Sequence, residues 1–240
     1  MSFSLECKKV KRTGFTPAFL FGGLLAAVVP VLNMAVRSEN YLGIHAAPVQ
    51  ILLDANWQMM AMLNILLIVA GACLMYHTEY ADNAIQKMCT LPIKESKLFF
   101  GKVTLMLLMC IVVLVIEAAS IAFCSCHWFE MTSEVWIEVM KNFGYALLLM
   151  LPSALGSLFI ASVCKNMWVS LGIGVVCVFT ATMLPTRSFV LSLFPFALPF
   201  QIFAGTAENT ACNFMIAAVV EIIIIGIAEV LFLKVRRSFE

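Results

Sequence analysis

The chain has 240 residues, 62% of them hydrophobic and 12% charged, with a formal net charge of +1. A soluble domain is about 45–50% apolar and about 25% charged, and surface-to-volume scaling leaves a chain of this size unable to hide so much apolar surface from water. The composition excludes a soluble globular enzyme and a disordered chain, and the near-zero charge offers no global attraction to nucleic acid; the expected class is an all-α polytopic membrane protein, one domain over residues 1–240.

Residues 1–14 come first. Phe3, Cys7 and Val10 fit one helical face, and Lys8, Lys9, Lys11 and Arg12 occupy the others. The pattern predicts a basic helix in the lipid interface, ended by Gly14. A bilayer crossing needs about 20 apolar residues. The first stretch free of charge, Thr13–Val36, predicts a span at 15–36, with Thr16 as N-cap and Pro17 at the first helical position. Its apolar core exceeds the roughly 7–15 residues of a secretory signal, and further spans follow. Ala55–Tyr76 predicts a span at 57–76.

Residues 77–102 form a loop with its own pattern. Tyr80, Ala84, Met88 and Leu91 recur at helical spacing and make one apolar stripe, while Glu79, Asp82, Asn83, Gln86 and Lys87 occupy the other positions. Pro92 stops the helix. A short amphipathic helix lies in the lipid interface or docks a partner, and the pattern alone leaves both open.

Val103–Cys126 predicts a span at 103–123, interrupted by Glu117. Asn142–Cys164 and Asn166–Thr186 predict spans at 143–163 and 167–184, joined by a tight turn at Lys165. Ser188–Ala207 is long enough to cross but holds Pro195 and Pro199. Asn209–Leu233 predicts a span at 213–233, interrupted by Glu221 and Glu229. With six spans, twelve of the 15 Lys and Arg residues fall on one side, and only Arg37, Lys141 and Arg187 on the other. By the positive-inside rule the basic side is cytoplasmic, so both termini are expected there. A crossing by Ser188–Ala207 would export Lys234, Arg236 and Arg237. Residues 188–207 are therefore read as a re-entrant hairpin from outside, a form tolerated where broken backbone packs on protein.

The basic face suits anionic membrane lipids. Glu117, Glu221 and Glu229 are the formal charges inside spans, and intramembrane carboxylates mark function by default. At 1.5 Å per residue Glu117 lies about 21 Å from the inner end of its span and Glu221 about 10 Å from the outer end. Asn64 falls at a similar level. The three are expected to share an inward polar layer, lining a path for a cationic or polar substrate or bonding helix to helix. Glu229, near the inner end and able to snorkel toward Lys234 or Arg236, is read as structural.

No ATP site is recognisable. The nearest approach to a P-loop, Ser96–Val103, fails at both ends of the pattern. His45, His77 and His127 share no helix turn, and the serines lack a paired His and Asp. The nine cysteines sit mostly in apolar runs and read as small hydrophobes. Cys124, Cys126 and His127 lack the fourth ligand that a zinc site usually takes.

Six spans, a basic N-terminal helix, an amphipathic segment between the second and third spans and a proline-broken hairpin before the last together resemble an ABC-2-type transporter permease subunit. Glu79-Tyr80, Ala84-Ile85-Gln86, Leu91-Pro92-Ile93, Lys97 and Gly101-Lys102 resemble that family's coupling region. The small size looks most like lantibiotic-immunity and peptide-export permeases of bacterial plasma membranes. The resemblance implies that two cytoplasmic ATPases, carrying the ATP and magnesium, grip Glu79, Tyr80, Ala84, Ile85, Met88, Leu91 and Pro92. It implies a second permease subunit, identical or sister, and no cofactor on this chain. Alternatives are the binding subunit of a vitamin uptake system, an intramembrane hydrolase, and a membrane anchor or sensor.

Overall fold

A computed structural model describes residues 2–11, 13–80, 95–129, 135–184 and 189–239. Among these every regular element is helical. Helix α1 is Ser2–Val10, α2 is Phe15–Arg37, α3 is Glu39–Leu42 and α4 is Pro48–Tyr80. Helix α5 is Glu95–Trp128, α6 is Val135–Val163 and α7 is Met167–Met183. A short α8, Phe189–Ser192, and a 3-10 turn at Leu198–Phe200 precede α9, Glu208–Phe239.

Five of these helices, α2, α4, α5, α6 and α9, are long and apolar enough to cross a membrane. Helix α7, with 17 residues, rises about 25 Å at 1.5 Å per residue. The long helices overrun the predicted spans. A charge-free window stops at the first ionic residue, whereas backbone hydrogen bonding continues into water. Pro48 begins α4, where its missing N–H costs nothing. Asn166 caps α7, its side chain accepting from the Trp168 N–H at 3.0 Å. The expected Thr16 cap is corrected: α2 starts at Phe15 behind Gly14, which sits at φ 75° with no side-chain cap. Pro17 is then the third helical residue, and its absent N–H falls among donors that a helix start leaves free in any case.

The long helices pack side by side together with α7. Phe15 and Phe19 of α2 meet in a tilted pair with centroids 4.7 Å apart and press on Gly71 of α4, where an added Cβ would lie 2.6 Å from the Phe19 ring. At the other end of the same pair, Asn33 Nδ2 donates to Asn56 Oδ1 at 2.7 Å. Helix α4 is central, packing on α2, α5, α6 and α7. Helix α9 packs on α6, with Ala211, Phe214 and Ala218 meeting Tyr145 and Leu149. Outward-facing residues are apolar: Phe21, Leu25 and Leu32 on α2, Trp168, Val176 and Phe179 on α7, Ile216, Ile224 and Ile227 on α9. Apolar exposure on this scale belongs to a lipid-facing surface.

Residues 189–207 pack against α4 and α6, held by three hydrogen bonds to backbone carbonyls or amides. Trp57 Nε1 donates to the Pro199 carbonyl at 3.0 Å, Ser153 Oγ to the Pro195 carbonyl at 2.7 Å, and the Ala204 N–H to Asn142 Oδ1 at 2.8 Å. Each satisfies a backbone group that proline or an irregular turn has freed. These contacts lie toward the Pro48 end of α4.

Candidate functional site

The opposite end holds four charged side chains from three helices. Glu6 and Lys9 come from α1, Glu79 from the last turn of α4 and Lys102 from the second turn of α5. Lys9 Nζ lies 2.8 Å from Glu6 Oε1 and 3.0 Å from Glu79 Oε1. Lys102 Nζ lies 2.5 Å from Glu79 Oε1 and 3.5 Å from Glu6 Oε2. Glu6, Glu79 and Lys102 are 1%, 6% and 2% exposed. Two carboxylates facing two ammonium groups make a neutral quartet, the condition under which buried charge is tolerated. Burial alone would lower the Lys9 ammonium, but the Glu79 and Glu6 carboxylates outweigh it and hold its pKa above the ordinary lysine value.

The local sequence explains the arrangement. Glu6 and Lys9 are three apart on α1 and share a face, while Lys8 between them is exposed. Val10 on the same helix is buried. Glu79 follows the apolar run of α4 and Lys102 precedes that of α5, so two antiparallel helices deliver opposite charges to one level.

The quartet continues into a polar network. Lys102 Nζ sits 5.1 Å above the Tyr76 ring, and Tyr76 stacks on Tyr80 at 6.3 Å. The Tyr80 hydroxyl donates to the Ser162 carbonyl on α6. Glu229 of α9 accepts from Tyr76 at 3.4 Å and from the Ser162 hydroxyl at 3.0 Å. Glu229 is fully buried, with Tyr76 and Ser162 as donors; the side chains of Lys234 and Arg236, named with it in the sequence, lie outside the described ones. Five helices thus meet at the base of residues 81–94.

Of the expected coupling residues, Glu79 and Tyr80 lie in this network. Ala84, Ile85, Met88, Leu91 and Pro92 lie outside the described residues. Glu6, Lys9 and Lys102 were missed as site residues; the signal was a pair of opposite charges flanking consecutive apolar runs, with a third and fourth charge one helical turn apart in α1.

The expected polar layer is divided. Asn64 Nδ2 donates to Glu117 Oε2 at 3.0 Å, and both side chains are buried between α2, α4 and α5. Glu221 of α9 makes no hydrogen bond with either; among the described residues its Oε2 is buried without a partner. An apolar cavity of about 160 Å³ opens between α5, α6 and α9, walled by Leu107, Cys110, Met150, Leu155 and Ile222 among others. At the far end of α5, Cys124 is buried and Cys126 exposed, and His127 stacks on Phe123 at 5.7 Å.

Comparison with known proteins finds a family model described as ABC-2 family transporter protein, matching residues 2–181. No curated protein and no solved structure matches the chain.

Proposed function

The chain belongs to the ABC-2 family of transporter proteins, and from that premise we propose that it is the permease half of an exporter driven by separate ATPases. It is a multi-pass membrane protein and the membrane subunit of an ABC transporter. In the proposed arrangement α7 is the sixth crossing, the quartet end faces the cytoplasm with both termini, and residues 189–207 dip in from outside. The location is a bacterial plasma membrane. Two cytoplasmic ATPases, holding ATP and magnesium, grip the segment from Glu79 to Pro92 through Tyr80, Ala84, Ile85, Met88 and Leu91. A second permease subunit, identical or sister, completes the path.

One observation supports this reading above the others. Both roots of residues 81–94 are fastened to each other by Lys102 and Glu79 at 2.5 Å, and the same network reaches α6 and α9 through Tyr80 and Glu229. A pull on a segment so rooted moves five helices together rather than bending one. Buried packing transmits such displacement because interiors have low compressibility. The proposed cargo is a cationic amphipathic compound, a lantibiotic-like peptide being the model. Glu221, half-buried on α9, offers it a carboxylate; Asn64 and Glu117 would line the path after α4 and α5 part.

The test is purification of the tagged chain from native membranes in mild detergent. An ATPase should accompany it, and Glu79→Ala or Tyr80→Ala should release that ATPase by disturbing the root of the segment. Retention of the ATPase by both variants removes the coupling assignment.

A further inference from the structure

We propose that the Asn64–Glu117 contact is a proton-binding site, in which Glu117 is held as a neutral acid in a cyclic pair with the amide. The inference comes from counting donors. Asn64 Nδ2 donates to Glu117 Oε2 at 3.0 Å. The two remaining oxygens, Asn64 Oδ1 and Glu117 Oε1, are buried and receive no hydrogen bond among the described residues. A carboxylate has no hydrogen to give, and neither has an amide oxygen. One proton on Glu117 Oε1 turns it into a donor, and Asn64, already bonded to Glu117 through its Nδ2, carries in Oδ1 a buried acceptor without a donor. A single proton satisfies both orphaned atoms and closes an acid–amide ring.

Other occupants fit less well. The void beside Asn64 measures about 10 Å³, and its remaining walls are apolar, including Phe19, Ile68, Val113 and Met150. That is at the lower limit for one water, which needs two to four polar partners. A resident cation has no source: among the described residues no charged side chain of α2, α4 or α6 makes a contact with Glu117, and Cys110 on its own helix is the ionisable neighbour. Lys102, fifteen residues along α5, is about 22 Å away by helical rise and already faces Glu79. A cationic cargo would have to enter a contact that is 0% exposed at Glu117.

The position gives the proton a consequence. The pair joins α4 to α5 at membrane depth, and the quartet joins the same two helices at their ends. Loss of the proton leaves a carboxylate whose charge nothing opposes, which favours parting of the two helices there. Occupancy by a proton therefore locks the α4–α5 seam, whatever cargo the subunit moves; the site does not depend on the proposed function.

Infrared difference spectroscopy of the purified protein at neutral pH tests this. Subtraction of Glu117→Gln from the parent should isolate one carbonyl band of a hydrogen-bonded carboxylic acid. Asn64→Leu, which removes the amide but keeps the acid, should move that band to the higher frequency of an unbonded acid. Glutamine preserves the ring as an amide–amide pair, so Glu117→Gln should fold and melt as the parent does. Paired carboxylate bands in place of the acid band would overturn the proposal. So would an acid band that neither substitution alters.

Discussion

Lys102→Met offers the most direct physical test of the ionic quartet. The substitution keeps an unbranched side chain of similar length and removes one of four charges. At 2.5 Å from Glu79 and an effective dielectric of about 20, the lost attraction is roughly 7 kcal/mol before desolvation is counted. Desolvation of the ammonium offsets part of this, and removal of one partner from a buried pair costs about 3–5 kcal/mol in practice. The Glu6 carboxylate loses its 3.5 Å contact as well. The informative comparison is the double variant Glu79→Gln/Lys102→Met. It retains the Glu6–Lys9 pair at 2.8 Å and leaves no excess charge. The double variant should therefore lose about 1–2 kcal/mol less than the sum of the Glu79→Gln and Lys102→Met losses, the coupling expected between residues in one ionic network. Thermal unfolding in detergent, followed by the fluorescence of the four tryptophans, measures both. Additive losses in the double variant would refute the claim that the two groups form one buried ionic unit.

Three further outcomes follow from the packing and from the proposed path. Gly71→Ala places a methyl group 2.6 Å from Phe19 and 2.9 Å from Phe15; overpacking of about 1–3 kcal/mol exceeds the roughly 1 kcal/mol gain in helix propensity, so the melting midpoint should fall. Trp57→Phe removes the donor to the Pro199 carbonyl and should cost about 1–3 kcal/mol, read as faster chymotryptic cleavage within 189–207 while the helices stay protected. Glu221→Gln should weaken resistance of expressing cells to a cationic amphipathic peptide without changing protein level; unchanged resistance would remove Glu221 from the path.

The spans were legible because the membrane imposes length and charge limits that a sequence displays directly. Their ends were not: α4 runs on to Tyr80 and begins at Pro48, because nothing in hydropathy distinguishes a helical turn in water from a loop. Asn64 and Glu117 could be paired from depth alone, since both sit on helices whose register against the membrane is fixed by their apolar runs. Glu221 was expected at the same depth, but depth does not specify azimuth, and α9 packs chiefly on α6. The quartet was hidden for another reason. Lys8, Lys9 and Lys11 look alike as a basic cluster, and only the fold separates Lys9, which meets Glu79 seventy positions away, from exposed Lys8. The contacts of Glu229 with Ser162 and Tyr76 join positions 67 and 153 residues apart, which no local pattern displays.

The central claim is that a separate nucleotide-burning protein acts on this chain through residues 81–94. A photoreactive side chain at Met88, activated in native membranes, should form a covalent adduct with an ATP-binding protein, and the same group at Trp136 should not. An adduct from Trp136 alone, or transport by the isolated chain in liposomes without nucleotide, would contradict the account.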